Sequence, residues 1–181
     1  MQAEISQTAM TLFVANGFEQ TTVDQIAAAV GMSVRSVFRY FPSKEDIVVG
    51  HLDHIGDEIA GALALRPPPE APWVALRQAM QPHIDDLTEN AAANLAVAAM
   101  LAETPALKPA LLNKRARWVD ALVPNITKRL SGPAPSRDLR ARAIASSALA
   151  CLNVAVDEWA RTRGKKPLTK LVDIAFAAVR D

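Results

Sequence analysis

The stretch TTVDQIAAAVGMSVRSVFRYFPSK, residues 21–44, constrains the fold more than the rest of the chain together. Thr22 stands three residues before Gln25, the spacing of a capping box that satisfies the first-turn N–H groups reciprocally. Val23, Ile26, Ala27 and Val30 follow at helical spacing and predict one apolar face. Gly31 is the stop, since glycine enters the left-handed conformation of a helix end without steric cost. Ser33 then caps a second helix over 34–40. Val37 and Phe41 take its inner side, while Val34, Arg35, Phe38 and Arg39 share the opposite one. Two short helices with a tight turn, the second carrying arginines outward, are the layout of a helix-turn-helix that reads the DNA major groove.

What flanks the motif is equally ordered. ISQTAMTLFVANGFEQTTVDQIAAAVGMS and VRSVFRYFPSKEDIV run from Ile5 to near His51. They give an apolar first helix, a Gly-Phe loop, the Thr-Thr-Val cap, an Ile-Ala core and a Gly-x-Ser turn. An aromatic-rich second helix follows, and then Pro-Ser-Lys-Glu opening a long helix. This run resembles the DNA-binding domain of the TetR family of one-component bacterial transcription regulators. The resemblance implies an all-α protein: a three-helix helix-turn-helix DNA-binding domain over residues 1–50 and a larger helical ligand-binding and dimerisation domain over 66–181. A fourth helix, from 44 to about 65, connects them. It also implies a homodimer on a palindromic double-stranded DNA operator, released by a small-molecule effector, with repression the family's commoner mode.

Composition sets limits on this reading. Half of the 181 residues are hydrophobic, enough for a sizeable core without staples. The single cysteine, Cys151, excludes an internal disulfide framework and a cysteine-based zinc site, and fits a reducing cytosol. No uncharged stretch, residues 90–102 included, is long enough to span a bilayer, so the chain is expected to be soluble and cytoplasmic, with no membrane partner. No Gly-rich phosphate loop and no Ser-His-Asp order points to an enzyme, and no cofactor is expected. Charge pulls the other way: residues 1–52 hold three basic side chains (Arg35, Arg39, Lys44) against five acids, whereas DNA binders usually carry a basic footprint. Many TetR-like proteins have an arginine-rich arm ahead of the first helix, and this chain begins almost at that helix. Operator affinity is therefore expected to be modest and salt-sensitive.

Along the chain nearly every periodic segment is helical. The first helix is expected over 3–16, with Ile5, Ala9, Leu12 and Phe13 inward. The Pro-rich stretch 66–72 marks the domain boundary. Helices are then expected over 73–88, kinked at Pro82; over 91–103; from Pro105, bent at Pro124; over 137–163; and over 167–180. The last two are apolar on more than one face, as a helix buried on several sides must be.

Candidate site residues follow from these placements. Arg35 and Arg39 are the base readers, because a guanidinium bridges guanine O6 and N7; Val34 and Phe38 suit methyl and sugar contacts. Ser33 opens the same helix at the groove, and Thr22, Tyr40 and Lys44 match family positions that hold phosphates. For an apolar effector, Met100, Leu101, Leu111, Trp118 and Leu122 are the lining, with Asn94, Asn153 and Glu103 as polar contributors and Arg115 and Arg117 able to receive an anionic group. Ala143, Ser147, Ala150, Val154, Leu171, Ala175 and Phe176 form the expected dimer stripe. Two other readings stand beside this one. His51, His54, Asp57 and Glu58 along one side of the fourth helix would make a metal-responsive regulator, zinc or nickel being suited to imidazole and carboxylate. The acidic balance of residues 1–52 would fit a dimeric scaffold whose DNA-binding domain no longer reads sequence.

Overall fold

The computed structural model describes residues 1–180, and among these there are helices and turns but no strand. The order is α1 (Gln2–Asn16), α2 (Val23–Ala29), α3 (Val34–Tyr40), α4 (Lys44–Gly50), α5 (Asp53–Ala64), α6 (Pro72–Ala79), α7 (Gln81–Glu89) and α8 (Ala91–Glu103). A 3₁₀ turn (Pro105–Leu107), α9 (Lys108–Thr127), α10 (Ala134–Arg161) and α11 (Leu168–Arg180) complete it. The chain divides into two compact units. The first comprises Met1–His54 with Ala99–Lys114, the second Ile55–Ala98 with Arg115 onward.

In the first unit, α1 packs on α4 and α2 on α3. Ile5, Ala9, Met10 and Phe13 form the buried side of α1, so Met10 takes the place expected of Leu12, which is half-buried. Ser6 is buried with them and its hydroxyl donates to Ile47 O at 3.2 Å. The loop after α1 is fixed by Thr21, whose buried hydroxyl bonds Gly17 O (2.8 Å) and Leu12 O (3.3 Å). The capping box of α2 forms as its spacing predicts: Thr22 Oγ1 accepts from Gln25 N, and Gln25 Oε1 accepts from Thr22 N. At its other end Gly31 sits at φ 66°, Gly31 N bonds Ala28 O, and Met32 N bonds Ala27 O. These two bonds make a Schellman stop with glycine in the left-handed position.

The long fourth helix is not continuous. It ends at Gly50, turns through His51 and Leu52 with bonds to the third carbonyl back, and restarts as α5 at Asp53. Gly50 is the physical reason: it has low helix propensity, and its bare backbone is covered by Phe41. A Cβ there would lie 2.5 Å from Phe41 Cε1. Lys114 of α9, also in this unit, is buried, and its ammonium pairs with Asp53 in the first turn of α5.

The second unit is built on α10, which pairs along much of its length with α11 and also carries α6; α7 packs on α11. Ala141, Ala145, Ala148, Leu149, Leu152, Ala155 and Trp159 are its buried side. By length and composition α10 could cross a membrane, but 39% of its apolar window is buried against the rest of the chain. Pro133 and Pro135 open this helix at Ala134, three residues before the expected start, since proline suits a first turn that lacks N–H partners. Pro82 acts the same way, so residues 73–88 form two helices broken at Met80 rather than one kinked helix. Pro124 lies inside α9 without ending it. The Pro-rich stretch after α5 is held by Arg129, whose guanidinium donates to Leu63 O, Arg66 O and Pro67 O at 2.6–2.9 Å. One of these carbonyls, Leu63 O, belongs to the last turn of α5, and the other two lie in the stretch beyond it.

Candidate nucleic-acid interface and effector site

The recognition helix is short, and its orientation is set by one side. Val37 is fully buried and Phe41 nearly so, which leaves Arg35, Phe38 and Arg39 facing solvent. Phe38 is 44% exposed between the two arginines. Val34 is half-buried at the start of the same face. Ser33 caps the helix through Ser36 N at 3.1 Å, with the two hydroxyls 2.9 Å apart. The helix N-terminus, with its partial positive charge, is therefore free of acids in its first turn. Arg39 lies over the Tyr40 ring at 5.3 Å, which restricts its guanidinium to the outer face.

Lys44 has a more internal role than its sequence position suggests. Its ammonium donates to Phe18 O (2.8 Å) and Thr21 O (3.2 Å) and lies 4.2 Å from the Phe18 ring. It ties the start of α4 to the loop ahead of α2, leaving one of three donors for a phosphate. Thr22 is exposed at the N-terminus of α2 and Tyr40 half-buried at the end of α3.

Of the residues expected to meet an effector, Met100, Leu101 and Leu111 belong to the first unit, and Asn94, Trp118, Leu122 and Asn153 to the second. All are half-buried except Leu122, which is fully buried. Asn94 is committed to the end of α7, where its amide donates to Asp86 O and Leu87 O. Glu103 and Arg117 are exposed. Trp118 is different: its Nε1 is buried with no hydrogen-bond partner. An orphaned donor of this kind costs about 1–3 kcal/mol until an acceptor reaches it. Its ring rests on the backbone of α5 at Gly56, where an added Cβ would come within 2.3 Å of Trp118 Cδ1. Gly56→Ala is therefore expected to lower stability by about 1–3 kcal/mol, the usual penalty of overpacking, and a thermal melt checks it.

In the same unit, Arg115 of α9 donates to Asn153 Oδ1, and Asn153 Nδ2 donates to Asp157 Oδ2 at 3.2 Å. Burial dominates both charged ends of this chain. It lowers the Arg115 pKa against the pull of Asp157, and raises that of Asp157 against Arg115 and Asn153. Asp157 is absent from the sequence-based set. Its spacing of four from Asn153 on one helix was readable, but Arg115 lies 38 positions away and only packing brings it there.

The expected dimer stripe divides in two. Ala143, Ala150 and Val154 are exposed on α10 and Ser147 is half-buried; Leu139 and Ser146 extend that face. Leu171 and Phe176 turn inward instead. The Phe176 ring packs on Trp73 with centroids 4.7 Å apart, and Trp73 Nε1 donates to Phe176 O at 3.3 Å. Ala175 is half-buried and its carbonyl accepts from Cys151 Sγ at 3.3 Å. The exposed apolar residues of α11 are Ile174 and Val179.

The four residues of the metal reading are not gathered on one helix. The break after Gly50 puts His51 in a turn, so His51, His54, Asp57 and Glu58 do not share one helix. Among the described residues no group of three or more His, Cys, Asp or Glu side chains is arranged to hold an ion. The His51 and His54 rings meet edge to face at 6.4 Å; burial first, and the charge of His54 second, hold His51 below the ordinary imidazole pKa.

Two family models match the chain. Residues 5–49 match the family model described as bacterial regulatory proteins, tetR family, and residues 70–181 match the one described as MftR C-terminal domain. The HTH-type transcriptional regulator TcmR of Streptomyces glaucescens is 29% identical over 162 residues, covering 86% of this chain and 71% of that protein. MftR of Mycobacterium tuberculosis is 28% identical, covering 97% of this chain and 87% of its own length. Among solved structures, FadR of Bacillus subtilis in complex with stearoyl-CoA has the same fold, with a TM-score of 0.66 at 16% identity over 97% of this chain and 96% of that one. The helix-turn-helix match over residues 5–49 and the MftR-type match over 70–181 thus place this chain in the tetR family of bacterial transcriptional regulators, which are DNA-binding proteins and not enzymes.

Proposed function

We propose that this regulator is a homodimeric, cytoplasmic repressor that binds a palindromic operator and is released by a small, largely apolar effector. The exposed face of α3 carries the proposal: Arg35, Phe38 and Arg39 are presented outward while Val37 anchors the helix from behind. A two-fold dimer would set two such helices about 34–36 Å apart, or a multiple of it, so the half-sites of the operator repeat at that interval. The exposed small and apolar stripe Leu139, Ala143, Ser146, Ala150 and Val154 on α10 supports a second copy as its cover. Repression follows if the bound dimer occupies DNA that polymerase needs.

The effector reading rests on the second unit. The unpaired Trp118 Nε1 supports an oxygen acceptor on the ligand, and Arg115 with Asn153 suits a polar end. The stearoyl-CoA held by the Bacillus subtilis protein supports a long acyl chain as the apolar part. Release requires that the effector bind the DNA-incompetent form more tightly, and the shift cannot exceed that affinity ratio.

The test is selection of bound duplexes from a random pool at low salt, followed by displacement with an acyl-CoA. The expected result is an enriched palindrome from which wild-type protein is released and Trp118→Phe is released less readily. A folded dimer that enriches no sequence would overturn the operator reading and favour a scaffold role. An enriched palindrome that acyl-CoA never displaces would overturn the effector class alone.

A further inference from the structure

The loop that closes α10 carries a dense cluster of positive charge that neither the exposed face of α3 nor the Trp118 and Arg115 groups of the effector reading use. Arg161, Arg163, Lys165 and Lys166 place four cations in six residues, against a net charge of +1 for the whole protein. With Thr162 they line a surface recess of about 350 Å³. Glu158 fixes two of them from one side: it accepts from Arg161 at 2.7 and 2.9 Å and from Lys166 at 2.8 Å. The hydrogen bond from Arg161, then that from Lys166, pulls the Glu158 carboxyl down to about 2. Among the described residues, Arg163 and Lys165 have no side-chain hydrogen bond or ion pair.

The backbone adds an independent observation. Arg163 N bonds Ala160 O and Gly164 N bonds Trp159 O, the same pair of bonds that stops α2. In α2 the left-handed position is Gly31; here it is Arg163, at φ 52°, the one non-glycine residue with positive φ among those described. Gly164 follows at φ 72°, with its Cα side 3.0 Å from Leu95 Cδ1 once a Cβ is added, so that glycine is needed where it stands. An arginine thus occupies a position that glycine fills without strain, and strain kept at one residue marks a role for its side chain. Cations in the last turn of a helix favour its negative end, which explains Arg161 but not residues beyond that turn.

We infer that this recess is a binding site for a small phosphate-bearing anion of pyrophosphate dimensions. Its volume falls at the lower end of small-ligand sites, about 300–1,000 Å³. Duplex DNA or an anionic bilayer would need an extended basic surface, but the charge is confined to one loop. Asp157 and Glu158 precede it, and only Lys170 follows before Asp173. The loop N–H groups of residues 162–165 are all spent on carbonyls, and the Thr162 hydroxyl donates to Glu158 O and Trp159 O. Recognition therefore falls to guanidinium and ammonium groups, the fork of Arg163 matching two phosphate oxygens.

The site is tested by calorimetric titration of the full chain with inorganic pyrophosphate at low ionic strength, with ADP in a parallel arm. One pyrophosphate per chain is expected, weakened about tenfold in R163G and in K165Q by loss of a charge-assisted hydrogen bond. R163G should melt no lower than wild type, because glycine relieves the backbone. ADP binding at least as tightly as pyrophosphate supports a nucleotide-type ligand, and binding more weakly supports a free polyphosphate. Absence of heat with pyrophosphate, or unchanged affinity in both variants, overturns the proposal. So does a pattern in which both variants lose binding to non-operator duplex DNA or to phosphatidylserine vesicles but keep pyrophosphate.

Discussion

Arg35→Ala and Arg39→Ala are each expected to erase operator discrimination while leaving the protein folded. Each side chain projects from α3 into solvent, so removing it takes nothing from the core. On DNA, a bidentate guanidinium–guanine pair is worth about 1–3 kcal/mol of discrimination, or roughly fivefold to 150-fold per half-site. In a symmetric dimer the loss counts twice, so either variant should bind the selected palindrome little better than random duplex. Fluorescence anisotropy with both duplexes, at matched salt, measures the ratio; helical content by circular dichroism should not change. If either variant keeps the wild-type ratio, that arginine is not a base reader. Lys44→Ala should behave differently. Its ammonium holds Phe18 O and Thr21 O, so this change is expected to loosen the first unit as well as weaken DNA binding, without relaxing sequence preference.

Phe176→Ala and Val154→Arg are expected to separate core from interface. Phe176 is 5% exposed and stacked on Trp73, so its truncation should cost about 3–5 kcal/mol of stability, as buried aromatic deletions do. Val154 is 61% exposed in the single chain, so arginine there disturbs nothing within the subunit. It would instead put two like charges into a two-fold interface along α10, where each residue meets its own surroundings again. Thermal melts combined with light scattering distinguish the two. Phe176→Ala should melt early, and Val154→Arg should stay folded but run as a monomer. A Val154→Arg protein that remains dimeric would move the interface off this stripe.

Local chemistry was enough for the helix-turn-helix. The Thr22–Gln25 box, the Gly31 stop, the Ser33 and Ser43 caps and the buried Val37 all depend on residues within a few positions of one another. Sequence spacing is physical spacing over that range, so the helix-turn-helix and its arginine face could be read directly. Boundaries controlled by a distant neighbour were less legible. The break after Gly50 depends on the Phe41 ring lying against it, and the start of α10 on which of several prolines opens the helix.

Burial on the last two helices shows the limit most clearly. Ala143, Val154, Leu171 and Phe176 all lie on apolar stripes, and periodicity alone treats them alike. Packing splits them, because Trp73, 103 positions before Phe176, arrives to cover one set and nothing in the subunit covers the other. The same holds for Arg115 beside Asn153, and for the unpaired Trp118 Nε1. The sequence by itself determined the helical periods, the caps and the exposed arginine face of α3, since these are short-range consequences of backbone and side-chain chemistry. Only the tertiary structure decided which apolar faces are spent inside the subunit and which polar groups lack a partner. Both depend on contacts between residues far apart in the chain.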